Sequence, residues 1–373
     1  MTLVVVAFGL AALSLGLGVR DVPLATVVEA WTAYNLDNPD HIVVRDLRMA
    51  RAVAALLGGA ALGLAGALMQ VMTRNPLADP GILGINSGAA FGVVMGIWVL
   101  GLSAAGALVL PALVGAGITA VLVLVLGGGA GRDGPDPVRM VLVGAALSAL
   151  FLSLTWALLI LSRQSLDIYR YWVLGGFGQV DPSDLWAVMP LLLAGFGAAL
   201  VAAFMLNPLA LGDDTARALG VRVGLARFIS LVGTVLLCGT TVSLAGPIAF
   251  IGLIVPHLVR PFARGDVRRL AFGSVVLGAA LAMTADVVGR LILPGQEIEA
   301  GAIMALIGGP ALIVLVQRQR EALVRARSPC AMRPFPRGCL GGCSWSMRYC
   351  QPCCLPCWRR VFWAALSPSG CRI

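Results

Sequence analysis

The chain has 373 residues, 59% of them hydrophobic and 12% charged, with a mean hydropathy of +0.92 and a formal charge of +9. A soluble domain carries roughly 25% charged residues, so a water-soluble globular protein and a disordered chain are both excluded. All 27 basic residues are arginine, which removes the lysine that a Walker A phosphate loop and Schiff-base chemistry require.

Uncharged runs locate the membrane spans, since a crossing helix needs about 20 apolar residues. The first run is Leu3–Val19; it lacks a basic n-region and an A-x-A cleavage site, and so reads as a membrane helix rather than a signal peptide. Ala52–Met72 is the second, and residues 80–131 carry no charge and hold two spans with a break near Ser103–Gly106. Met140–Ser162 and Leu185–Gly212 are the fifth and sixth. The uncharged run 228–259 is too long for one helix and too short for two full ones. It predicts one span, a break near Gly246-Pro247, and a shorter span through His257. Leu270–Leu293 and Gly301–Val316 complete a set of ten. The expected fold is therefore all-α and polytopic.

Ten spans put both termini on one side. With the N-terminus inside, the inner segments before residue 328 hold fourteen arginines and the outer segments seven, whereas the acids run seven inside to eleven outside. Arginine collects on the cytoplasmic side, so the expected topology is N-in, C-in. The basic charge reads as topology, and nucleic acid is not an expected partner, because no basic stripe on a presenting fold is visible. The two histidines, His41 and His257, stand far apart, and no HExxH or GxSxG string occurs. No metal site, cofactor or catalytic residue is expected in the bundle. His257 reads as a polar residue at a helix interface.

Residues 328–373 differ from the rest. They hold eight of the nine cysteines, three tryptophans and six prolines, with no run long enough to cross a membrane. Cys350, Cys353, Cys354 and Cys357 have a spacing that could hold zinc. The Arg, Cys, Trp, Pro, Ser and Gly composition is what a GC-rich gene yields when read out of frame. A frameshifted or disordered tail is the reading adopted, and the domain boundary falls between 1–327 and 328–373.

Several strings carry more than hydrophobicity. The second span reads GGAALGLAGALMQ, in which Gly59, Gly63 and Gly66 form a face that can pack closely on another helix. It is preceded by Arg45-Asp46-Leu47-Arg48-Met49-Ala50-Arg51 and followed by Arg74-Asn75-Pro76-Leu77-Ala78-Asp79-Pro80. The three arginines before it are odd on two counts. They lie outside, against the positive-inside bias, and they open a helix, where a cation opposes the dipole. Further on come YWVLGGFGQVD (Tyr171–Asp181), NPLALGDDTARALGV (Asn207–Val221), AFIGLIVPH (Ala249–His257), ADVVGRL (Ala285–Leu291) and ALIGGP (Ala305–Pro310). Within the second of these, Asp213 and Asp214 suit a helix start and Gly220 can end it.

Taken in this order, from about residue 43 to about residue 317, these strings resemble the permease family of ABC importers for ferric siderophores, haem and vitamin B12. The resemblance implies a ten-helix subunit in the bacterial inner membrane. It would pair with a second permease, identical or not, sit on two cytoplasmic ATPase subunits, and receive an iron chelate, most simply a ferric siderophore, from a periplasmic binding protein. The chain itself would be a transport subunit and not an enzyme, consistent with the missing Walker A lysine.

The resemblance also implies residue roles. Leu211, Gly212, Asp213, Asp214, Ala216, Arg217, Leu219 and Gly220 match the coupling helix that seats on the ATPase. Arg48, Arg51 and Arg290 match arginines that meet acidic groups of the binding protein, although Met49-Ala50 stands where the family commonly has Leu-Pro. Snorkelling to the interface is a structural alternative for the first two, and an i,i+4 pair with Asp286 for the third. Asn75 and Leu77 match a cytoplasmic gate. The loop Gly134-Pro135-Asp136-Pro137-Val138 lies at a second gate position, but its Pro137 and Val138 depart from the small hydroxyl residues of one relative. The alternatives are an importer of the same class for vitamin B12 or haem, or a ten-span secondary transporter working without an ATPase. Against the latter, the DDTARALG loop would have no use, and buried acid or histidine relays are scarce, with Asp286 and His257 coming nearest. A membrane-embedded enzyme would need a catalytic pair within the bundle, and none can be assembled.

Overall fold

The computed structural model describes residues 9, 14–16, 22–35, 37–104, 106–128, 136–209, 212–293 and 296–327. The chain divides into two compact units, 1–315 and 316–373. In the second, the described residues 316–327 are helical, and the cysteine-rich 328–373 lies outside the described residues. No strand occurs among the described residues.

The helices are α1 (Leu24–Thr32), α2 (Pro39–Ile42), α3 (Met49–Met72), α4 (Ile85–Leu100), α5 (Val109–Leu126), α6 (Pro137–Leu161) and α7 (Arg163–Leu174). They continue with α8 (Pro182–Leu209), α9 (Asp213–Ala218), α10 (Val223–Ala245), α11 (Ile251–Ala263), α12 (Val267–Leu291) and α13 (Ala300–Arg327). A π-helical stretch, Val43–Arg48, joins α2 to α3 without a break. Six helical stretches among the described residues are long and apolar enough to cross a membrane: Pro39–Met72, Gly106–Leu126, Pro137–Leu161, Pro182–Leu209, Val223–Ala245 and Val267–Leu291. Three shorter apolar helices, Ile85–Leu100, Ile251–Ala263 and Ala300–Val314, correspond to the third, eighth and tenth expected spans. The first expected span, Leu3–Val19, lies mostly outside the described residues; of it, Ser14–Gly16 is helical.

Local chemistry sets where these helices begin and end. Asp136 accepts from the backbone N–H of Val138 at the start of α6, and Asp266 from that of Arg268 at the start of α12. Each satisfies one of the donors that a helix start leaves unpaired, and Pro137 occupies the first turn of α6, where its missing N–H costs nothing. The expected break at Gly246-Pro247 is present: Gly246 has φ +70° and Phe250 φ +69°, and α11 starts immediately after. At 13 residues, α11 rises about 20 Å, less than a hydrocarbon core of about 30 Å.

The centre of the bundle is α3, almost entirely buried, with α12, α11, α10 and α8 packed around it. Its small residues allow this. A Cβ on Gly59 or Gly63 would lie 2.4 Å from the backbone oxygens of Gly278 or Ser274 on α12, and one on Gly66 would lie 1.9 Å from the oxygen of Gly252 on α11. Helices α4, α5 and α6 form a neighbouring group joined to the first through α5 and α10. The outer faces of α5, α6 and α8 expose Leu110, Val121, Leu142, Trp156, Ile160 and Leu193, an exterior suited to lipid rather than water.

Candidate functional site: the two ends of the central helix

Arg51 opens α3 and Arg74 follows its last turn, about 34 Å apart at 1.5 Å per residue. The residues of interest gather at these two ends.

At the Arg51 end, the chain brings together Arg48, Arg51 and Arg290, whereas Arg45 does not join them. Arg51 Nε donates to Asp286 Oδ1 at 2.9 Å and its Nη1 to Glu297 Oε2 at 2.6 Å. Arg290 Nη2 donates to the other oxygen, Asp286 Oδ2, at 2.8 Å. One carboxylate therefore holds two guanidinium groups, one from its own helix four residues on and one from α3. Arg48 donates through Nη1 to the carbonyls of Leu15 and Gly16 at 2.8 and 2.9 Å, and Arg290 Nη1 to the carbonyl of Ser14 at 3.0 Å. The carbonyls of Ser14, Leu15 and Gly16 thus each accept from an arginine. Most of the network is buried: Arg48 is 8% exposed, Arg290 4% and Asp286 0%. Glu297 is its most open member. Beside it, burial pushes the Glu299 carboxyl up from its ordinary value, opposed by the attraction of Arg51. Arg45 stands apart, exposed, with its guanidinium 4.6 Å from the centre of the Tyr34 ring.

The π-helical stretch ends at Arg48 and runs directly into the helix that carries Arg51. Val43–Arg48 carries wider turns, and the Met49 N–H reaches back to Val44 O. Alanine at position 50 keeps a backbone N–H, so the helix runs on through Met49-Ala50 where a proline would interrupt its hydrogen bonding.

At the Arg74 end, α3 stops at Thr73 and Arg74 takes a left-handed conformation, φ +50°. The chain then folds into a tight turn in which Asn75 Oδ1 accepts from Leu77 N at 3.0 Å and Asn75 O from Ala78 N at 3.1 Å. Asp79 accepts from Gly81 N at 2.8 Å; burial raises this carboxyl, and the Gly81 N–H lowers it. Gly252 sits against this turn, with Pro80 Cδ 2.9 Å from where its Cβ would stand.

The connector between α8 and α10 reaches the same end. Leu211 lies outside the described residues. Gly212 has φ +124°, Gly220 has φ +80°, and α9 lies between them. Ala216, 0% exposed, packs into the cluster formed by Ala199, Leu206 and Val223. Asp214 and Arg217 point to solvent with 3.5 Å between their charged groups, and Leu219 is 63% exposed. Asp213 turns back toward the bundle: Arg74 Nη2 donates to its Oδ1, and Arg227 Nη2 to its Oδ2 at 2.7 Å. Arg74 Nη2 also donates to Leu209 O, the last carbonyl of α8, at 3.3 Å. In the second expected gate loop, residues 134 and 135 lie outside the described residues, and Asp136-Pro137-Val138 forms the start of α6. His257 is half-buried on α11.

Arg74, Arg227, Glu297 and Gln70, which make contacts at these two ends, do not stand out in the sequence as site residues. Gln70 is buried, donates to the Leu253 carbonyl at 3.1 Å and accepts from Arg260 Nη2 at 2.8 Å, tying α3 to α11. Its signal was available, as an amide within an otherwise apolar span. That of Arg227 was not, since an arginine near a span end reads as topology.

The family model described as the FecCD transport family matches residues 3–318. The ferric enterobactin transport system permease protein FepD of Escherichia coli (strain K12) is 41% identical over 309 residues, covering 83% of this chain and 91% of that protein. The probable siderophore transport system permease protein YfiZ of Bacillus subtilis (strain 168) is 40% identical over 296 residues, covering 78% and 87%. Among solved structures, a metal-chelate type ABC transporter in an inward-facing conformation superposes with a TM-score of 0.68 at 28% identity, over 85% of this chain and 98% of that one.

Proposed function

The chain belongs to the FecCD transport family, and from that premise we propose that it is the membrane permease subunit of an ATP-driven importer, translocating a ferric siderophore or similar iron chelate. Relatives named for ferric enterobactin and siderophore transport support the substrate class. Two cytoplasmic ATPase subunits supply the energy, a second permease, identical or not, completes the passage, and a periplasmic binding protein delivers the chelate. The subunit spans the bacterial inner membrane ten times with both termini inside, as the arginine distribution favours. Residues 1–327 form the permease, and 328–373 is a tail without a transport role.

The observation that carries this reading is the form of α9. A six-residue helix between two membrane-length helices buries Ala216 and offers Asp214, Arg217 and an exposed leucine, Leu219, outward. A short connector helix anchored inward by one alanine, with charged groups and Leu219 facing out, has a form that suits the coupling role. Leu211, Gly212, Asp213, Asp214, Ala216, Arg217, Leu219 and Gly220 are thus assigned to ATPase coupling, and Asn75 and Leu77, in the adjoining turn, to the cytoplasmic gate.

Docking of the binding protein is assigned to Arg48, Arg51 and Arg290. Arg51 can meet an incoming carboxylate from the Glu297 side, where the network is most open. Arg48 and Arg290 can do so only if Ser14–Gly16 gives way, because its carbonyls occupy them now. The test of the whole reading is reconstitution with ATPase and binding protein. Uptake of an iron-loaded siderophore should require ATP and should fail when Arg217→Glu and Leu219→Glu are combined. Uptake that persists in that variant would refute the coupling assignment.

A further inference from the structure

The Asp213 carboxylate joins three pieces of the bundle. Through Oδ1 it accepts from Arg74, the residue that begins the Asn75–Leu77 turn; through Oδ2 it accepts from Arg227, in the first turns of α10. Arg74 in turn donates to the terminal carbonyl of α8. Asp213 itself is the first residue of α9. Elsewhere in α9, Ala216 packs into an apolar cluster and short backbone bonds close the connector. Apolar packing lets a short helix slide. A carboxylate shared between two guanidinium groups constrains direction as well as distance, because charge-assisted bonds of this kind have specific geometry.

We propose that Asp213 is the positioning residue that transmits displacement of α9 to the Asn75–Leu77 turn through Arg74 and to the foot of α10 through Arg227. The three side chains are partly exposed, so their contribution to stability is small, and their role is mechanical linkage. When α9 moves, the Asp213–Arg74 bond pulls on the residue whose left-handed backbone turns the chain out of α3. That is the shortest path from the connector to the turn, and it bypasses the length of the apolar helices. The inference rests on the reading of α9 as the ATPase-contacting helix.

The test uses the full chain assembled with its ATPase subunits, with and without ATP and vanadate, followed by hydrogen–deuterium exchange. In the wild type, exchange in residues 74–83 should respond to vanadate trapping. In Asp213→Asn, α9 should remain protected by the bound ATPase while the response of 74–83 falls on the order of tenfold, a coupling of ordinary allosteric size. Arg74→Gln should reproduce the loss and Arg74→Lys should restore most of the response, a rescue that a general structural defect would not show. If Asp213→Asn does not assemble, the two Arg74 variants decide alone. A wild-type response in both Asp213→Asn and Arg74→Gln would overturn the linkage while leaving the coupling reading intact. Absence of α9 protection by the ATPase in the wild type would instead overturn the coupling reading, and the linkage with it.

Discussion

Asp286 is buried with one cation on each oxygen, and this decides how the outer arginines can work. A buried charge left without its partner costs about 3–5 kcal/mol, so the network does not open without replacement charges. Carboxylates of an incoming protein can partner the arginines but cannot compensate Asp286, so Arg51 keeps Asp286 and meets them on its Glu297 side. Arg51→Glu should therefore weaken association with the binding protein by about 2–5 kcal/mol, and raising the salt should weaken the wild-type complex by screening its exposed part. A titration of the binding protein onto the permease in nanodiscs measures both; an affinity indifferent to mutation and salt would exclude the assignment. In the sequence, Arg45, Arg48 and Arg51 stand out against the topological bias, and the resemblance implies the docking role of Arg48 and Arg51. Arg290 came from the resemblance, and its pair with Asp286 from i,i+4 spacing. What occupies Arg48 was not legible, since its acceptors are backbone carbonyls of residues 15 and 16, and a carbonyl leaves no mark in a sequence.

Among the elements, α3 sets the tolerance of the whole arrangement. Its Gly66 faces the backbone of Gly252 so closely that a methyl group at position 66 would fall 1.9 Å from a carbonyl oxygen. Neither partner is a flexible side chain, so α3 and α11 must separate to admit it. Overpacking of this kind costs about 1–3 kcal/mol or more. It would also disturb Gln70, one turn further on, which bonds the Leu253 carbonyl. Gly66→Ala should lower the thermal midpoint of the purified permease and reduce its yield in the membrane, whereas Gly197→Ala, with open space around its Cβ position, should leave both unchanged. Equal behaviour of the two variants would contradict this packing. The close-packing face was readable from the Gly59, Gly63 and Gly66 spacing, and α9 from its acidic start and closing glycine. By contrast, α7 leaves no apolar run in the sequence, because Arg163, Asp167 and Arg170 make it amphipathic. Its place in the fold depends on packing against α4 and α6, which periodicity in α7 alone does not specify.

For the molecule as a whole, the family match ends at residue 318 and the cysteine-rich segment begins ten residues later. In the proposed topology Arg318, Arg320, Arg325 and Arg327 would supply the positive charge that holds this helix end inside. A chain ending at Arg327 should insert, assemble with its ATPase and transport at the full-length rate, and zinc chelation should change nothing; lost transport on truncation or stoichiometric zinc in the purified full-length protein would show that the tail matters. The larger claim is that energy enters from separate ATPase subunits through α9, in a chain without a lysine. Uptake into proteoliposomes holding the permease, its ATPase and the binding protein tests this directly, with an iron-loaded siderophore outside and ATP within. Uptake should require hydrolysable ATP, stop when the ATPase subunits are omitted, and ignore an imposed proton gradient. Uptake by the permease alone, driven by that gradient, would contradict the claim.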